Sequence, residues 1–138
     1  MCALFPEIRF GLEVRYDYFG LPDYDEMEDV LAEVNLDNVG YWHDCGHAQV
    51  FQNLGLWPHE AWLARYRDRL VGVHLHGMKN FLLDHQAPDP DNMDFEMVAR
   101  YTRPDTLLVM EVSAENTLQD VLRGKDYLEK VFLNHRQR

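Results

Sequence analysis

At 138 residues, 46% of them apolar, the chain suits a single domain (1–138) with a sizeable core. A formal net charge of −11, from 24 acidic against 13 basic residues, leaves no basic footprint for a nucleic-acid backbone, and the acids read as a solvated surface. No run approaches a membrane span, the start MCALFPEIRF lacks the basic region of a signal peptide, and Cys2 and Cys45 read as reduced thiols, so a soluble cytoplasmic protein is expected.

The first strand is predicted over Ile8–Val14, with Arg9, Gly11 and Glu13 on one side and Ile8, Phe10 and Leu12 on the other. The turn GLPDYDEM then leads into a helix from about Tyr24 to Val34, with Met27, Val30, Leu31 and Val34 on one stripe. Val39–His43 forms the second strand, and DCGHAQVFQNLGL reads as a loop or irregular helical segment. Pro58 opens a helix through about Asp68 with Trp62, Leu63 and Tyr66 inward, and Leu70–Leu75 is the third strand. Gly77–Asn92 reads as a long polar loop with two prolines, of the kind that carries function or is disordered. A helix over Phe95–Tyr101 precedes the fourth strand, Thr106–Val112. The last helix runs over Thr117–Phe132, with Leu118, Val121, Leu122 and Leu128 apolar, Gly124 a weak point, and Glu115, Asn116 and Thr117 at its cap. Four strand–helix pairs in strict alternation predict an α/β parallel sheet.

Each strand candidate ends in a residue able to bind a metal: Glu13, Asp44, His76 and Glu111, at intervals of 31, 32 and 35 residues. That interval is about one strand–helix–strand unit, and a parallel sheet brings equivalent strand ends to one face. Three carboxylates and one imidazole then make a divalent-metal site. Asp44, Gly46 and His47 form a compact D-x-G-H, with the competing reading that Asp44 caps the following turn. Alternation in VGVHLH puts Gly72, His74 and His76 on one face, and two histidines there are costly unless bonded or metal-bound. His76 is preferred as the ligand because it lies nearer the C-terminal strand end. Asp84 and His85, in the long loop, are within reach of the same face.

GLEVR, DCGHA, VGVHLHG and LLVMEV together resemble the C-terminal half of the xylose isomerase-like TIM barrels, which include sugar phosphate isomerases/epimerases and endonuclease IV-type enzymes. The resemblance implies that Glu13, Asp44, His76 and Glu111 are the metal ligands of the epimerase branch and that His47 contacts substrate. His85 resembles the histidine of a D-x-H loop, and His74 is taken as a further substrate contact. The chain departs from the pattern at Leu83, at Gly77 and in PDPDNMDF, so no particular substrate transfers.

The chemistry implied is metal-dependent isomerisation or epimerisation of a sugar or related hydroxy-carbonyl compound through an enediolate, with Glu13 and Glu111 as the paired proton carriers. Mn²⁺ is favoured, with Mg²⁺, Co²⁺ or Zn²⁺ as alternatives. Two other readings stand beside it. One is a phosphodiesterase or abasic-site endonuclease, which would need several metals. The other is a non-catalytic half-barrel acting as a binding or assembly module. Four strands make only half of a (β/α)8 barrel, so the expectation is either a missing N-terminal half or a homodimer joined through inner faces or sheet edges.

Overall fold

The computed structural model describes residues 2–16 and 22–136. A turn of 3-10 helix, Cys2–Leu4, precedes β1 (Phe10–Glu13), α1 (Glu26–Val34), β2 (Val39–Asp44), α2 (Cys45–Asn53), α3 (His59–Tyr66) and β3 (Leu70–Leu75). Then come β4 (Gly77–Lys79), β5 (Leu83–Gln86), α4 (Phe95–Ala99), β6 (Leu107–Met110) and α5 (Leu118–Arg136). The main sheet has the order β1-β2-β3-β6, parallel throughout, so each crossover carries a helix. The alternation predicted this parallel sheet, and its four strands make the half barrel that the resemblance implies. The first residues of the turn before α1, Gly20 and Leu21, lie outside the described residues.

Helices cover one face of the sheet. Val39, Tyr41, Leu70, Val73 and Leu75 meet Met27, Leu31, Phe51, Trp62 and Phe95 in the buried core. Trp62 is the hub: the rings of Tyr24, Tyr41, Phe51 and Trp57 lie within 4.9–6.5 Å of it. Burying rings of this size contributes about 1.5–3 kcal/mol each. The opposite face is covered by the Trp42 ring, which packs edge-on to His74 at 4.9 Å, while Leu107 and Val109 stay exposed.

Five expectations need correction. The segment after Asp44 is a regular helix, α2, starting at the residue after the strand, because the Asp44 carboxylate accepts from the His47 N–H at 2.8 Å and caps it. The 77–92 stretch holds an antiparallel hairpin, β4–β5, and is not a plain loop. On α5, Leu118 and Leu122 are exposed, and Leu128, Val131 and Phe132 form the buried stripe. Gly124 is a close-packing position: a Cβ there would come within 2.8 Å of Pro88, so the hairpin's return segment rests on the helix. Thr117 and Asp120 cap α5 reciprocally, whereas Asn116 turns away to bond His85 O and the Ala87 N–H.

Candidate metal centre

The parallel sheet brings its C-terminal ends together as expected. Glu13 closes β1, Asp44 closes β2, His74 is the penultimate residue of β3, and Glu111 follows β6. The edge strands curl toward each other enough that ligand atoms from Glu13, Asp44, His74 and Glu111 all lie within 4.8 Å of one another. His74 Nδ1 is at the centre, 2.9 Å from Glu111 Oε2, 3.3 Å from Glu13 Oε1 and 3.4 Å from Asp44 Oδ2.

His76 is brought to Asp44 but not into this group. Its Nδ1 accepts from the His85 N–H at 2.9 Å, which fixes the proton on Nε2, and that N–H faces both Asp44 oxygens at 2.9 and 3.0 Å. Both ring nitrogens are therefore occupied, Nδ1 by the His85 N–H and Nε2 by the Asp44 carboxylate it orients, the arrangement that holds a metal ligand in place from behind. His76 also falls in a second cluster of possible ligands with Asp44, His85 and Glu111. Each cluster thus unites three members of the expected quartet: Glu13, Asp44 and Glu111 with His74 in the first, and Asp44, His76 and Glu111 with His85 in the second.

Local packing explains why Gly46 follows Asp44. A Cβ at Gly46 would lie 2.2 Å from His76 Cε1 and 2.9 Å from Asp84 Cβ, so only glycine lets α2 begin against the imidazole. His47, one residue on, donates from Nδ1 to Val14 O at 2.9 Å. Its Nε2 points toward Asp84 Oδ2, 3.9 Å away. Asp84 Oδ2 is buried with no hydrogen-bond partner among the described residues. His85 sits at a positive φ of 56°, which costs a non-glycine residue about 1 kcal/mol or more. It stacks flat on His76 at 4.2 Å, with its Nδ1 2.8 Å from Asp84 Oδ1. His47, Asp84 and His85 thus form a further triad beside the quartet.

Electrostatics follow from this crowding of carboxylates. Burial acts to raise the Asp44 carboxyl, but hydrogen bonds to His74 and His76 hold it far below the ordinary carboxylate range. For His74, burial opposes the charged form, yet the bonds to Asp44 and Glu13 and the charge of Glu111 outweigh it and push the imidazole up to about 10. Three carboxylates around one protonated imidazole carry a net negative charge, the donor set and charge that suit a hard divalent cation.

One buried cluster was not anticipated. On the helix side of β2, Tyr41 O–H donates to His43 Nδ1 (2.8 Å), His43 Nε2 meets His59 Nε2 (3.0 Å), and His59 Nδ1 meets Gln49 Oε1 (3.2 Å). Because the Gln49 oxygen can only accept, the chain is satisfied with both imidazoles neutral. Nothing in the local sequence pairs residues 43 and 59.

No protein-family model and no curated protein matches the chain by sequence. Solved structures do match it in fold. A D-tagatose 3-epimerase-like protein superposes with a TM-score of 0.70 at 16% identity, over 94% of this chain and 49% of its own. A xylose isomerase domain protein from Alicyclobacillus acidocaldarius subsp. acidocaldarius gives 0.64 at 19% identity, over 93% and 52%. The chain spans about half the length of these proteins, and its fold is a half-length xylose isomerase-like barrel. No helix among the described residues is long and apolar enough to cross a membrane.

Proposed function

We propose that the chain carries the metal-binding half of an isomerase or epimerase acting on a sugar or related hydroxy-carbonyl compound, and that its working form is a homodimer. The observation that carries this reading is the convergence of Glu13, Asp44, His74 and Glu111 at the C-terminal end of the sheet. These four would hold the divalent cation, Mn²⁺ by preference, with His74 in the place that spacing, strand-end position and the family resemblance assign to His76. When bound, the cation would supply Lewis acidity to the carbonyl and neighbouring hydroxyl oxygens of the substrate. Glu13 ends one outermost strand and Glu111 follows the other, so within the quartet one carboxylate removes the proton beside the carbonyl and the other returns it. Asp44, held ionised by His76 and by its own helix cap, serves as a fixed anion and moves no proton. His47 and His85 supply polar contacts for substrate hydroxyls. The free cysteines Cys2 and Cys45 fit a cytoplasmic setting.

The test is solvent exchange. The protein, supplied with Mn²⁺, is incubated in D₂O with a panel of ketoses and ketose phosphates, and deuterium uptake beside the carbonyl is followed by NMR. Uptake lost in Glu13→Gln and in Glu111→Gln is the expected result, and no uptake from any member of the panel would refute the reading.

The triad His47, Asp84 and His85 favours a second reading, since a phosphodiesterase uses several adjacent metals. Metal-dependent cleavage of a phosphodiester without deuterium uptake would select it.

A further inference from the structure

The sheet ends in two unlike edges. Ahead of β1 lies an exposed apolar segment with Leu4, Phe5 and Ile8. At the other edge β6 leaves Leu107 and Val109 bare on the inner face, and α5 overhangs its outer face. Beneath the overhang is an open cavity of 280 Å³ whose apolar wall includes Leu108, Met110, Leu128 and Phe132, with Lys125, Glu129 and Arg136 as its charged lining. A bare edge strand with apolar surface on both sides is a template for another strand.

We propose that a second copy of this chain fills the cavity: its β1 pairs in parallel with β6 beneath α5, and two copies close an eight-stranded barrel in which this joint is made twice. The proposal rests on the homodimer reading above and names the surfaces that form it. All four strands of the sheet run the same way, so a two-fold axis along the barrel keeps β1 of one copy parallel to β6 of the other. Phe10 and Leu12, half-buried on the helix side of β1, then enter the apolar cavity under α5. The same rotation sets α5 beside α1 of the second copy, two helices at opposite ends of the sheet within one chain. Their charges are complementary. α1 carries Glu26, Glu28, Asp29 and Glu33 with no base, whereas α5 carries Arg123, Lys125, Lys130 and Arg136 against three acids.

A charge exchange tests the pairing away from the metal-binding residues. One variant carries Asp29→Lys and Glu33→Lys, the other Lys125→Glu and Lys130→Glu, each checked for native circular dichroism. Sedimentation equilibrium of the wild type at micromolar concentration should give twice the 16.3 kDa chain mass. Each variant alone should dissociate at least tenfold more readily, and an equimolar mixture should restore a one-to-one heterodimer, because both joints then regain opposite charges. A wild-type monomer, a dimer indifferent to both variants, or a mixture that restores nothing would each overturn the proposal. Variants that do not fold leave the wild-type mass and the single variant Val109→Asp, expected to be monomeric, as the deciding measurements. Mn²⁺ content and deuterium uptake of the same samples are read separately, so failure to pair is distinguished from failure of the proposed chemistry.

Discussion

Arg9 and Asp105 stand just ahead of the two edge strands of the sheet, yet Arg9 donates to the Asp105 carboxylate at 3.0 Å and to its carbonyl at 2.7 Å. Long side chains thus bridge the inner face of the curved sheet, Arg9 to Asp105 at its N-terminal end and Glu13 and Glu111 to His74 at its C-terminal end. The carboxylate pairing is exposed and screened by solvent, so the bond to the main-chain carbonyl is the firmer tie. Arg9→Ala should lower stability by about 1 kcal/mol in urea unfolding, the loss of that main-chain bond. It should also weaken Mn²⁺ binding, because Glu13 and Glu111 sit on the strands it no longer holds. Full Mn²⁺ affinity in a destabilised Arg9→Ala protein would show that the curl is set elsewhere.

Gly46→Ala offers a test of the contact between α2 and His76. Alanine normally gains up to about 1 kcal/mol over glycine in a helix. Here the added methyl meets the imidazole at 2.2 Å, and overpacking of this kind costs about 1–3 kcal/mol. A net loss of stability is expected, together with altered His76 and His85 ring signals in NMR. A stabilised Gly46→Ala would mean that the ring moves aside freely.

Acid should unfold the protein partly through the buried pair His43 and His59. Burial lowers both, His59 to about 4 and His43 well below its ordinary value. The unfolded chain therefore binds protons that the folded one refuses, and stability falls as pH drops from about 6.5 toward 4. His59 alone accounts for roughly 3 kcal/mol across that window. His74 is shifted the other way and its contribution is lost only as pH rises toward 10, so the two effects occupy separate ranges. Urea midpoints at pH 7 and pH 4.5 measure the acid limb, and His59→Gln should flatten it.

Much of the fold was legible because its signals are local. Apolar runs bounded by turn residues marked the four strands, and Trp62, Leu63 and Tyr66 at helical spacing marked the inward face of α3. The strand-end register of Glu13, Asp44 and Glu111 followed from period alone. The hydrogen bonds of His74 and His76 did not, because the His85 N–H that meets His76 arrives from a hairpin read as loop. Asp44 shows the limit of opposing a structural reading to a functional one: it caps α2 through one oxygen while facing His74 and His76. The His43–His59 pair was invisible for a related reason, since contacts across sixteen residues leave no local pattern.

The most direct test of the metal centre is calorimetric titration of Mn²⁺ into the protein at pH 7 in buffers of differing ionisation enthalpy. With His74 raised to about 10, a cation that takes its nitrogen must displace a proton, so one ion per chain should bind with about one proton released. Asp44→Asn and His74→Ala should abolish binding, whereas His76→Gln should retain the ion at roughly 10–100-fold lower affinity, as expected for a residue that orients a ligand. Undiminished Mn²⁺ binding by His74→Ala, or no binding by the wild type, would contradict the account.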